Sequence, residues 1–467
     1  MKKIAFIIFF KLSIATVFAD VRLPGVIGSN MVLEQNALVT LWGWSDVAEK
    51  IYITPSWNNK TDSTISTRDA KWSMKIQTPS AGGPYSIIIK GNNTINLTNV
   101  MIGEVWVCSG QSNMEFHHFY QGSKDIEPEF VNPPNNNIHF FLIPRTTAQY
   151  PQEDCHAEWT VCDSNTMKHF SEVAYFFAKK LNEKLNVPIG LIEASWGGTP
   201  AEVWTPEEDI DKDVVLKESA HTLQPYDWWP YWSGYTYNGM IAPLINYNIA
   251  GAIWYQGEAN TNAPYTYARL LETMIKSWRN AWQKDFPFYY VQIAPFTYGD
   301  INVGAVIREQ QEKALALENT GMIVTTDITA DTINIHPPDK HDVGYRLANL
   351  ALAETYHQDI KNYKSPLFKN MTIENNKAII DFYNADDGLM MKGDKIRELF
   401  IAGKDSVFFP ADAKIQNGKL IVSSKNIDVP VAVRYEFSNA AIGNLFSSGG
   451  LPVAPFRTDD WEVLKKK

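Results

Sequence analysis

The hydrophobic pattern changes character twice along the chain. Between residues 20 and 99, short β-type runs at 31–33, 38–42, 50–54, 72–76 and 85–89 are separated by clusters of Gly, Asn, Ser and Pro. Regular short strands without helical spacing predict an antiparallel β-sandwich over 20–99. From 100 to 364, apolar strand-like runs at 105–108, 138–143, 190–194, 251–255, 288–293 and 322–325 alternate with stretches of helical period. The clearest helix, 265–282, carries Leu270, Leu271, Met274, Ile275 and Trp278 on one face. The others are 170–181, with Ser171 as a cap, 308–317 and 343–356. Strands alternating with helices predict an α/β domain with a doubly wound parallel sheet. Past residue 364 strand-like runs return at 371–373, 378–382, 399–402, 420–422 and 431–437. Residues 365–467 therefore form a second β-rich region, which either folds alone or completes the first.

Residues 1–19 change the picture of where the protein works. Lys2 and Lys3 precede an apolar run at 4–10, and Val17–Phe18–Ala19 offers a small-residue cleavage site before Asp20. This is the pattern of a secretory signal peptide, and Lys11 leaves the run too short to span a bilayer. Its removal takes three of the 42 basic residues and leaves 39 against 52 acidic ones, a balance of about −13. Such a charge argues against nucleic acid and anionic membranes as partners, and no later stretch is apolar enough to cross a membrane. Fifteen Trp, 21 Tyr and 23 Phe can close large cores and line sugar-binding surfaces. Of three cysteines, Cys155 and Cys162 could form one local bridge in an oxidising compartment, while Cys108 reads as core. No Cys/His spacing suggests a metal site, and the adjacent His117 and His118 face different ways.

The chemistry begins at GEVWVCSGQSNMEF, residues 103–116. An apolar strand stops abruptly in a small-residue turn, and the carboxyl end of a parallel strand is where open α/β sheets place their ligands. Ser112 on that turn is the candidate nucleophile; the alternative is a serine that merely caps the next helix. Three later strand ends offer partners. Trp196–Gly197–Gly198 supplies backbone N–H groups that a ligand can approach closely. Gln256 and Glu258, in WYQGEAN, supply an amide that could donate to an oxyanion and a carboxylate that could orient a neighbour. His336, in NIHPP, is held extended by the following proline and is the best-placed base. The aromatic stretch 226–232 could stack on a sugar face or pack as a lid, which makes Trp228, with Trp196, a candidate substrate contact.

Taken together, these pieces resemble the sialate O-acetylesterase family, a branch of the SGNH hydrolases. The likeness runs from MVL and WGW near the start through GEVWVCSGQSNME, SWGGTPAEVW, YNGMIAPL, WYQGEAN and IHPPDKHDVGYRLA to VRY and GLPVAPFRTD. It implies an SGNH-type sheet flanked by β-rich regions and an exported, cofactor-free and metal-independent serine esterase, periplasmic or secreted. The substrate implied is an O-acetylated sialic acid, with acetylated xylan or another acetylated glycan as the alternative. A non-catalytic glycan-binding protein and a glycosidase using Glu193 and Glu258 are readings of other classes. By resemblance Ser112 is the nucleophile and His336 the base, with Ser112 N–H, Gly198 N–H and Gln256 forming the oxyanion hole. Many relatives carry Asp two residues before the histidine, where this chain has Asn334. Asparagine cannot supply a negative charge to an imidazolium, so the acid is expected at Asp331 or Asp327, or is replaced by a carbonyl in a dyad.

Overall fold

A computed structural model describes residues 20–131 and 135–464. The signal peptide expected at 1–19 lies outside the described residues. The organising element is one 17-residue strand, Thr94–Gly110, whose last ten residues are all buried. Its carboxy-terminal half lies between two parallel partners, Ile189–Ser195 on one side and Gly251–Tyr255 on the other. The sheet continues outward through Phe288–Val291 and Thr320–Ile323 on the second side. On the first it continues through Asn135–Leu142 to the antiparallel edge Trp159–Cys162, a strand the apolar pattern did not predict. The chain thus leaves the central strand, returns beside it, and then builds outward on the other side. That reversal opens a crevice at the carboxyl end of the central strand.

Side-chain alternation distributes helices over both faces. Val105 and Val107 pack in one cluster with Leu270, Met274, Ile275 and Trp278 of the Tyr267–Trp282 helix. Trp106 and Cys108 point the other way, toward Val173–Leu181 of the Glu172–Leu185 helix and Leu347–Ala351 of the Lys340–Glu354 helix. Ser171 caps the first of these through a bond from Ala174 N–H to its Oγ. The α/β class and doubly wound parallel sheet follow from these two buried faces.

The amino-terminal β-region is joined to this sheet more closely than its spacing suggests. The boundary drawn at 99/100 falls inside the central strand. Its first half pairs antiparallel with Gly82–Lys90 and parallel with Val32–Glu34 before it enters the α/β sheet. Core residues from Val21 to Ile102 belong to the same cluster as Val105 and Trp278. By contrast, the carboxy-terminal strands have a core of their own, built from Ala378, Ile380, Ile401, Leu420, Val433 and Tyr435. They form two four-stranded antiparallel sheets and a two-stranded pair, without joining the amino-terminal sheet. Cys155 and Cys162 are buried free thiols, so the bridge considered from their spacing is not formed.

Candidate active site

Ser112 stands where the central strand ends. Gly110 has φ +140°, and a Cβ there would lie 2.2 Å from the Tyr255 carbonyl oxygen, so only glycine lets the turn pass this close to the next strand. Gln111 N–H donates to that same carbonyl at 3.0 Å, and Trp196 N–H donates to the Gly110 carbonyl at 3.1 Å. The turn is pinned to both neighbouring strand ends. It then enters a single helical turn, Ser112–Glu115, whose first N–H groups have no intrahelical partner.

His336 comes from the loop before the Lys340–Glu354 helix, and its Nε2 lies 2.8 Å from Ser112 Oγ. The bond from Asn113 Nδ2 to the Ile335 carbonyl, 3.0 Å, ties the histidine loop to the residue after the serine. Tyr120 packs edge-on to the imidazole with centroids 5.6 Å apart. Burial, and secondarily the Lys340 charge, push the His336 pKa down from 6.5 to about 4. The imidazole is therefore neutral at physiological pH, the state in which Nε2 can accept a hydroxyl proton.

No carboxylate among the described residues hydrogen-bonds this ring. Asp331 is exposed, and its Oδ1 accepts the Ile333 N–H at 2.8 Å. Asp327 is committed to a bidentate pair with Arg346, at 2.8 and 2.7 Å. Asn334 Oδ1 accepts the His336 backbone N–H at 2.9 Å, which fixes the loop rather than the imidazole. The structure brings Ser112 and His336 together and leaves Asp331 apart.

Beneath the pair lies a buried polar network. Asn113 Nδ2 donates to Glu258 Oε1 at 2.7 Å, and Lys340 Nζ donates to Asn113 Oδ1 at 2.7 Å. Lys340 is fully buried between the rings of Phe116 and Tyr255, and burial lowers its pKa to about 7. Glu258 is thus a support for Asn113, its own pKa raised by burial. Lys340 is invisible to a reading of isolated motifs, although it stands four residues after His336, at the start of the following helix.

Of the paired glycines, Gly197 is already used. Its N–H donates to Glu115 Oε2 at 2.9 Å, and a Cβ there would come within 3.3 Å of Ser112 Cβ. Gly198, at φ +81°, has no hydrogen-bond partner for its N–H among the described residues and lies beneath the Trp229 ring. Gln256 is placed differently from expectation. Its side chain is 0 % exposed, and both amide hydrogens are taken, by Thr199 O at 3.2 Å and Asn260 Oδ1 at 2.7 Å. Tyr267 donates to its Oε1 at 2.8 Å, which fixes the amide orientation. The expectation of a donor aimed at the reaction centre is corrected to a buried amide that ties two loops together.

The aromatic stretch folds over the rim: Trp196 Nε1 donates to the Trp228 carbonyl at 3.2 Å, while the Trp228 ring is 64 % exposed. Glu193, the other half of the glycosidase pairing, is fully buried and bonded to Ser195 Oγ and Ser171 N–H. It cannot face Glu258 across a bound sugar.

Comparison with known proteins decides the class. The family described as carbohydrate esterase, sialic acid-specific acetylesterase, matches residues 102–353. A carbohydrate acetylesterase from Xanthomonas citri, solved as a crystal structure, superposes with a TM-score of 0.86 at 32% identity, over 95% of this chain and 100% of that one. The chain belongs to the sialic acid-specific acetylesterase family of carbohydrate esterases. Sialate O-acetylesterases of Homo sapiens and Rattus norvegicus are also similar. The first is 26% identical over 425 residues, 81% of this chain and 79% of its own; the second is 24% identical over 518, covering 93% and 94%. It is therefore an esterase. The family match spans the serine, glycine and histidine segments described above, and it spans Glu115, Arg145 and Lys340, whose contacts only the folded chain reveals. Among the described residues no helix is long and apolar enough to cross a membrane.

Proposed function

We propose that this chain is an exported serine esterase that removes O-acetyl groups from sialic acids through an acetyl-serine intermediate. The observation that carries the reading is the 2.8 Å contact between Ser112 Oγ and the neutral His336 Nε2, in the crevice of a family esterase. His336 accepts the serine proton as Oγ attacks the acetyl carbonyl. The oxyanion forms against the N–H groups of Ser112 and Gly198. Collapse of the tetrahedral intermediate passes the proton from His336 to the departing sugar hydroxyl. Water then enters, loses a proton to the same nitrogen as it attacks the acetyl carbon, and the acetyl–Oγ bond breaks to release acetate while His336 returns the proton to Ser112 Oγ. With no acid behind it, the imidazolium is stabilised only by its surroundings, and the pair works as a dyad. The basic start and apolar run of residues 1–19 support export, and the sialate O-acetylesterase relatives support the substrate.

A second reading, an esterase of acetylated xylan or another neutral glycan, is favoured by the 32% identical carbohydrate acetylesterase and by the exposed Trp228 at the rim. Acetate release from 9-O-acetylated sialic acid and from acetylated xylan, measured side by side on the wild type, separates them. The proposal predicts faster release from the sialic ester; release from xylan alone refutes it.

A further inference from the structure

A sialic acid differs from a neutral acetylated sugar by one carboxylate, and a planar carboxylate is best recognised by the fork of an arginine. The chain has ten arginines, and the fold commits most of them elsewhere. Arg279 donates to three carbonyls at the far end of its helix, and Arg308 is buried against the carbonyls of Ser438 and Asn439. Arg346, Arg434, Arg457 and Arg269 pair with Asp327, Asp459, Glu309 and Asp213. Arg145 is different in place.

Arg145 follows the strand Asn135–Leu142, which pairs with Ile189–Ser195, so it lies at the same carboxyl edge of the sheet as Ser112. Its Nε donates to Glu115 Oε1 at 2.7 Å and its Nη2 contacts the same oxygen. The other Glu115 oxygen accepts from Gly197 N–H and from Tyr120 hydroxyl, both at 2.9 Å. Gly197 abuts Ser112, and Tyr120 abuts His336, so Glu115 couples the guanidinium to the reaction centre. Arg145 also lies over the Trp196 ring at 5.9 Å, and its side chain is 50 % exposed. One edge of the fork is fixed by Glu115, while Nη1 has no hydrogen-bond partner among the described residues.

Resting on the sialate reading above, we infer that Arg145 is a specificity-determining residue that binds the substrate carboxylate through Nη1, with Trp196 as the floor. The ion pair with Glu115 holds the fork in place, so little side-chain freedom is lost on binding.

The test compares 9-O-acetylated N-acetylneuraminic acid with its carboxyl methyl ester, using wild type, Arg145→Lys and Arg145→Met. A hydrogen bond to a charged group is worth about 1.5–3 kcal/mol, so the wild type should prefer the free acid by about 10–100-fold in kcat/KM, mostly through KM. In Arg145→Met that preference should collapse toward unity, and Arg145→Lys should restore part of it. A purely structural role, in which Arg145 only supports Glu115, lowers both substrates together and leaves their ratio unchanged; that result overturns the inference, as does a wild type indifferent to the methyl ester. Release from acetylated xylan with none from either sialic ester fails the substrate reading itself.

Discussion

Asp331→Ala separates a Ser–His dyad from a triad. In a triad the buried acid fixes the histidine tautomer and stabilises the imidazolium, and losing its charge costs about 10⁴ in kcat, or about 5.5 kcal/mol of transition-state stabilisation. Asp331 is not built for that task. It is exposed, and among the described residues its hydrogen-bond partner is the Ile333 N–H two residues on. Removing an exposed carboxylate of this kind falls within about 0.5 kcal/mol, which corresponds to about a twofold change in rate. The assay is acetate release under kcat/KM conditions near pH 7.5, with thermal unfolding of the same sample as a control for loop disorder. A fall greater than about 100-fold in a variant that unfolds like the wild type would refute the dyad, because only a carboxylate that reaches the imidazole during turnover costs that much.

Two further predictions rest on the same site. The lowered His336 pKa, about 4, sets the acid side of the rate profile: protonation of Nε2 abolishes the base, so below pH 6, where Lys340 is already charged, kcat/KM should hold to about 5 and fall tenfold per unit below 4. An acid limb near 6.5 would contradict the buried imidazole. Gln256→Ala removes one of the two hydrogen bonds made by Asn260 Oδ1 and one of the two made by the Tyr267 hydroxyl, so it should cost about 1–3 kcal/mol of stability in urea unfolding and less than tenfold in kcat. A loss of 10²–10³ in kcat with stability unchanged would return the amide to the oxyanion hole.

The sheet was legible because its strands are buried on both faces, and 105–108, 190–194 and 251–255 read as continuous apolar runs that nothing else explains. Ser112 was legible because it sits on the turn that ends such a strand, and His336 because a proline follows it in the loop before a helix. The join between the β-region and the α/β domain was not, since Thr94–Gly110 alternates along its first half and is solidly buried along its second. Two patterns in one strand look like two elements. Contacts between distant segments were hidden as well: Lys340 to Asn113 and Gln256 to Thr199 are set by which way a side chain turns once the strands are stacked, and residue type alone left Gln256 free to donate anywhere. Asn334 was correctly seen to lack the charge of an acid, but only the fold reveals that its amide holds the loop backbone.

The central claim is that Ser112 carries the acetyl group. Its most direct test is acetate release from 9-O-acetylated sialic acid by wild type and Ser112→Ala, with acid-quenched peptide mapping of the wild type during turnover. Acetylation of Ser112 in the wild type, and release reduced by at least about 10⁴-fold in the variant, is the predicted result. Undiminished release by Ser112→Ala would contradict it.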